Sequence, residues 1–306
     1  MTASTMIFAN TLAMQYASRL DGEKLRRVAE APSVADAMKM LGDYGYVCAG
    51  DVSIDSFVVA ETDRLIAFID EVSPSDKVRE ALTAPFWYNN VKLAYKSRFI
   101  QVPNDGYYQV GGEPDKIARG DYSDCDRYLE EALEELDENK EREPREIDLA
   151  ITRAMYKLIL SCGVRVIKKY FKKEIDLKNI LSAARLRRMG QNRDEFIDGG
   201  TLKKETLMES LTVKNFGGCF LGTEYEDIAE DMEADEFRSL AKYESDADDH
   251  LFFLTDSLCA KMSTYEPFLN YYTRARVELK AMKTALVCVK TDARDVFFSR
   301  MPKIYD

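Results

Sequence analysis

His250 is the only histidine in the chain, and it follows Asp246, Asp248 and Asp249. Imidazole and carboxylate side chains in one place are what a metal centre or an acid–base pair needs. These four residues are therefore where a helical metalloenzyme would build its site. Their spacing lacks the glycine turn of an EF-hand loop, and an acidic, solvated helix end is the simpler reading. One histidine also leaves no other place for a Ser-His-Asp triad. Three glycine pairs, Gly111-Gly112, Gly199-Gly200 and Gly217-Gly218, have no G-K-[ST] after them, and Glu113 and Asp115 would repel phosphate beside the first. They read as connecting loops. Cys48, Cys125, Cys162, Cys219, Cys259 and Cys288 lack C-x-x-C spacing and have no readable base beside them. They are expected to be reduced thiols in a cytoplasmic protein. No catalytic residue, cofactor or metal is expected.

What recurs is polar but not catalytic. Asn90, Asn179 and Glu278 each stand within an amphipathic stretch and are followed by an apolar residue (Val91, Ile180, Leu279). An E-x-D triplet precedes each: Glu61 and Asp63, Glu146 and Asp148, Glu244 and Asp246. From Asp to anchor the gaps are 27, 31 and 32 residues. Two markers in one order, three times, indicate a triplicated helical unit. The triplet carboxylates are candidate partners for the anchor amides, closing each unit by a polar contact between its two long helices. Trp87 and Tyr88, beside Asn89 and Asn90, read as core packing with the amide bonded to a neighbouring carbonyl or carboxylate.

The elements that position these residues are helices. The chain of 306 residues has 8 Pro, 15 Gly and 32% charged residues, rich in Ala, Leu, Glu, Lys and Met, which favours an all-α fold. In chain order the pattern predicts a helix over Ala9 to Leu20 and two short ones broken at Pro32, with Ser33 as N-cap. Long helices follow over 56–72 and 76–99, with a possible kink at Pro85. Residues 102–120 form the strongest loop signal. Leu129, Leu133 and Leu136 mark another helix, Pro144 opens a long one to Leu160, and Val164 to Met189 follows. In that last stretch Leu177, Ile180, Leu181 and Ala184 share a face with Asp176, Lys178 and Arg185 around it. Short helices over 201–225, an acidic run over 224–236, long helices over 241–262 and 266–290, and a terminal tail complete the chain. The repeats are expected at 1–102, 103–195 and 196–306.

A net charge of −11 argues against a general nucleic-acid binder. Lys168, Lys169, Lys172, Lys173, Arg185, Arg187 and Arg188 form one basic zone, either a solvated surface or a docking face for an acidic partner. The longest apolar runs, such as Ala285 to Val289, are far below the roughly 20 residues of a spanning helix.

The repeated unit of short plus long helices, D-L-K-N-I-L-S-A-A-R at Asp176 to Arg185, F-I-D-G-G-T-L at Phe196 to Leu202, and E-P-F-L-N-Y with V-E-L-K-A-M-K at Glu266 to Lys283 resemble the central-stalk subunit of V/A-type rotary ATPases. That family has a prokaryotic form, in archaeal and bacterial complexes, and a eukaryotic one. It usually shows an acid where this chain has Trp87, and another near Arg276. The resemblance implies three similar helical domains in a pseudo-threefold funnel, lying peripherally on the cytoplasmic side of the membrane. Its partners would be the rotor axle and the membrane proteolipid ring of a proton- or sodium-translocating ATPase, and its role torque transmission without catalysis. An unrelated helical scaffold and the metalloenzyme built on Asp246 to His250 are the other readings.

Overall fold

The computed structural model describes residues 20–47, 53–101, 106–138, 143–259, 265–299 and 301–305. Among these the chain is all-α, with thirteen α-helices, two short 3-10 turns and no β-strand. The helix expected over Ala9 to Leu20 lies outside the described residues.

The first helices start where side-chain oxygens can cap them. Asp21 accepts from the Lys24 amide at the head of α1 (Gly22–Ala29), and Ser33 from the Asp36 amide at the head of α2 (Val34–Asp43). Ser53 caps α3 (Ile54–Val72) and Ser75 caps α4 (Asp76–Lys96). Each such cap is worth about 1 kcal/mol. Pro85 lies inside α4. The loop expected over 102–120 contains a short helix, α5 (Pro114–Arg119), with proline at its start and Gly120 in the left-handed conformation at its end. Proline cannot donate, and at the first turn it need not.

Next come α6 (Arg127–Glu138), α7 (Pro144–Ser161) and α8 (Arg165–Arg188). Leu129, Leu133 and Leu136 are buried on α6, as their spacing predicts. The last third holds α9 (Lys204–Ser210), α10 (Glu226–Ala234), α11 (Leu240–Cys259), α12 (Glu266–Thr291) and α13 (Arg294–Phe298).

The six long helices touch in a closed circuit: α3 on α4, α4 on α7, α7 on α8, α8 on α11, α11 on α12, and α12 back on α3. Neighbours run antiparallel. Along α4 and α7, Lys92 meets Thr152 and Lys96 meets Asp148. Along α12 and α3, Tyr271 stacks on Phe68 with ring centroids 4.4 Å apart, while Lys283 reaches Asp55. An even circuit of antiparallel neighbours sends α4, α8 and α12 in one direction and α3, α7 and α11 in the other.

Short helices pack on the long helix that precedes them: α5 on α4, and α9 on α8. The first pair follows no long helix among the described residues and uses the last, with α1 and α2 packing on α12. One apolar core consequently joins Leu25, Val28 and Leu41 to Ala285, Leu286 and Phe297. Each of these larger side chains contributes roughly 1.5–3 kcal/mol by burial. The two ends of the described chain are held in one core.

Candidate functional site

Asn90 sits on α4 and is wholly buried. Its Nδ2 donates to the Tyr108 carbonyl at 2.8 Å, and its Oδ1 accepts from the Tyr108 amide at 2.9 Å. Asn179 on α8 does the same to Ile197, with both bonds at 2.8 Å. In each case the clamped residue lies 18 positions after the asparagine. A primary amide is the side chain that can both donate to and accept from one backbone residue. The segment leaving each long helix is thereby fixed to that helix just ahead of the next short helix.

Glu278 holds the third position with different partners. The Tyr46 hydroxyl donates to its Oε1 at 2.5 Å and the Tyr305 hydroxyl to its Oε2 at 3.4 Å. A carboxylate only accepts, and here it receives donors from near the beginning and the end of the chain. Glu61 lines the same groove between α3 and α12, of about 240 Å³. It accepts from the Val47 amide and lies 3.6 Å from Arg64.

The expected bond between anchor amides and triplet carboxylates is not formed, because the backbone has already taken both functions of each amide. Asp63 is half-buried and accepts from the Gln109 amide at 2.7 Å. Burial raises its pKa above the ordinary carboxylate value against that hydrogen bond. Glu146 accepts from the Glu143 amide at the head of its own helix. Asp148 pairs with Lys96 at 2.6 Å, Glu244 with Arg185, and Asp246 lies 3.6 Å from Lys303. The Lys96 and Arg185 pairs join α4 to α7 and α8 to α11, each from a cation six residues beyond its anchor. At the remaining junction the cation is Lys283, five residues beyond Glu278, and its partner is Asp55 at 3.4 Å. Asp55 on α3 therefore takes the pairing role that Asp148 has on α7, and Glu61 and Asp63 sit about two turns further along α3.

Asp176 departs most from its sequence reading. It is wholly buried and accepts from the Thr201 amide and hydroxyl, the Leu202 amide and the Tyr225 hydroxyl. The turn at Gly199 and Gly200 aims the Thr201 and Leu202 donors at it, and a Cβ on Gly200 would stand 2.1 Å from Asp176 Oδ1. Trp87 is the equivalent residue on α4, and a Cβ on Gly111 would stand 2.3 Å from its ring. Both glycines come 24 residues after the side chain they touch. A carboxylate and an indole thus fill equivalent places, one by hydrogen bonds and the other by area. Tyr88 is buried and donates to Asp126 at 2.5 Å.

Glu174 and Arg276 form a second polar group the sequence does not announce. Their ion pair spans 3.1 Å, with the Tyr170 and Tyr272 hydroxyls near the guanidinium. Burial opposes the Glu174 charge, yet Arg276 keeps its pKa below the usual glutamate value.

The Asp246 to His250 cluster disperses. Asp248 pairs with Lys280, Asp249 accepts from the Lys303 amide, and His250 faces Glu224. Among the described residues no three His, Cys, Asp or Glu side chains gather as metal ligands. Burial, then the nearby Lys173, lowers the His250 pKa. Cys125, Cys162 and Cys219 are free thiols, while Cys48 lies outside the described residues. Much of the basic zone is engaged: Lys173 with Glu224, Arg185 with Glu244, and Arg187 with the Ser210 and Lys214 carbonyls. No helix among the described residues is long and apolar enough to cross a membrane.

No curated protein matches the chain at a significant level. Residues 12–296 match the family model of the ATP synthase (C/AC39) subunit. With nearly the whole length covered, including all three anchors and both glycine-backed turns, the chain belongs to the ATP synthase (C/AC39) subunit family.

Proposed function

We propose that this chain is the non-catalytic central-stalk subunit of a V/A-type, proton- or sodium-translocating rotary ATPase. In that role it lies peripherally on the cytoplasmic face of the membrane and couples the rotor axle to the proteolipid ring. Its three repeats, 1–102, 103–195 and 196–306, form a pseudo-threefold funnel. Family membership supports its place in the complex, and the closed helix circuit with a buried polar clamp at each anchor supports the mechanical role. Torque passes through a body that does not shear, and well-satisfied buried polar contacts resist shear because sliding would leave donors and acceptors unpaired.

The test is to tag the chain in its native cells, solubilise the membranes gently and identify what co-purifies. Recovery of the ATPase head subunits and the proteolipid is the expected result. Absence of both from a preparation in which the complex is otherwise intact would refute the stalk reading in favour of an unrelated scaffold.

A further inference from the structure

The basic zone of α8 divides in two. Lys173, Arg185 and Arg187 are spent within the chain, on Glu224, Glu244 and the Ser210 carbonyl. Arg165, Lys168, Lys169 and Lys172 pair with no acid among the described residues, and Arg165, Lys169 and Lys172 are exposed. Their spacing puts them on one face over about 10 Å of helix. They do not serve α8 itself: like charges one turn apart repel, cations near a helix start oppose its dipole, and no acid stands in the first turn to offset them. Burial lowers the Lys173 pKa, Asp176 opposes that shift and Lys169 adds to it, so the unpaired stripe runs up to Lys173.

There it meets apolar surface. Glu224 pairs with Lys173 and also faces His250 at 3.2 Å, which seats the segment before α10 against both α8 and α11. Leu221, three residues before Glu224, is 70% exposed, the highest value for a large apolar side chain among the described residues. Phe253, one turn after His250 on α11, is 49% exposed. The turn presenting Leu221 is pinned, because the Gly222 amide donates to Glu226 at 2.7 Å and the Thr223 amide to the Phe220 carbonyl at 3.0 Å. Leu221 is held outward by a bonded turn.

We infer that Arg165, Lys169 and Lys172, with Leu221 and Phe253, form a docking surface for an acidic amphipathic helix of another protein. Carboxylates three or four residues apart on that helix would follow the stripe along α8, and its apolar face would cover Leu221 and Phe253. Exposed ion pairs contribute little each, so the cations select and orient the partner while the two apolar side chains supply most of the affinity. An anionic membrane fits less well. Asp227, Glu230 and Asp231 follow Glu224 within two turns, exposed and without a cation partner among the described residues. A bilayer laid on this surface would bring those acids against its own charge, whereas a single helix follows α8 and avoids them.

The test puts a photo-crosslinking amino acid in place of Leu221 in the tagged full chain, irradiates the native cells and sequences the peptide joined to it. The expected result is a segment of another protein with acids at helical spacing beside apolar residues. Its yield should fall about tenfold or more with Lys169→Glu and Lys172→Glu together, and with Phe253→Ser. Lys39→Glu and Lys77→Glu together remove the same charge from exposed lysines elsewhere and should leave the yield unchanged. Purified variants are expected to melt like the wild type, since neither α8 lysine is paired. Lys169→Gln with Lys172→Gln, which adds no acid, should give a smaller loss in the same direction. A crosslinked segment without acids, equal yields from the two glutamate pairs, or no crosslink at all would overturn the inference. So would crosslinks to lipid alone, which assign the surface to the membrane, or to a second copy of this chain, which assign it to self-association.

Discussion

Asn179 spends both halves of its amide on one backbone residue deep in the protein, so truncating it leaves the Ile197 carbonyl and amide without partners. Asn179→Ala is expected to cost about 2–4 kcal/mol, read as a lowered melting temperature. Asp148→Ala removes only an ion pair whose carboxylate side chain is 44% exposed, and should stay within about 1 kcal/mol of wild type. Equal losses from the two would show that the clamp is no more structural than the surface pair. Asp249 offers a pH test. Burial, with Asp246 and Asp248 nearby, raises its pKa from 3.8 to about 6 despite the Lys303 amide that it accepts. The folded state therefore favours the protonated acid: the stabilising contribution is full below about 3.8 and is lost as pH rises through about 6. Asp249→Asn keeps an acceptor for the Lys303 amide without titrating. Its stability relative to wild type should grow between pH 4 and pH 7.5, by up to about 3 kcal/mol. A difference that stays flat over that range would place the titration elsewhere.

Helix starts were readable where a serine or proline supplied the cause, as at Ser33 and Pro144, and the leucines of α6 declared their buried face by spacing alone. The anchors were readable because they recur. Two features were not. Asp55 lies in S-I-D and so lacks the glutamate of the marker, while Glu61 and Asp63 have the right letters about two turns too far along α3. A three-residue pattern in an acidic chain fixes no register; the ion pair to Lys283 does. Asp176 sits among charged neighbours on an amphipathic helix, and its burial follows only from donors supplied by a turn more than 20 residues later. The signal was Gly199-Gly200-Thr201, a turn able to present amides to one acceptor. Two glycine substitutions separate the causes at this level. Gly200→Ala drives a Cβ into Asp176 and should cost about 3 kcal/mol or more by displacing a multiply bonded carboxylate. Gly163→Ala meets no atom within 4 Å but keeps a φ of +80°, and should cost about 1–2 kcal/mol through backbone strain alone. Equal melting shifts would mean the carboxylate simply moves aside.

At the scale of the whole molecule, the circuit closes where the chain's beginning and end meet. Two junctions are clamped by an amide on backbone, whereas at the third Glu278 gathers two tyrosine hydroxyls, and the helices α1 and α2 complete their core with α12 and Phe297. This closure depends on side chains drawn from distant parts of the sequence, so it should open as a local unit before the rest of the circuit unfolds. Phe297 is 1% exposed within that shared core, and Phe297→Ala should remove about 3–5 kcal/mol from it. Amide hydrogen exchange then reads where the loss falls. Faster exchange is expected together in α1, α2 and residues 277–289 of α12, with α4, α7 and α8 unchanged. A rise spread evenly over all the long helices would mean that the circuit opens as one cooperative body and that the meeting of its ends has no separate stability. Confined to α13, it would mean that the terminal segment frays without carrying the first two helices with it. The joint response of segments some 250 residues apart in sequence is the signature of a ring fastened by its own ends.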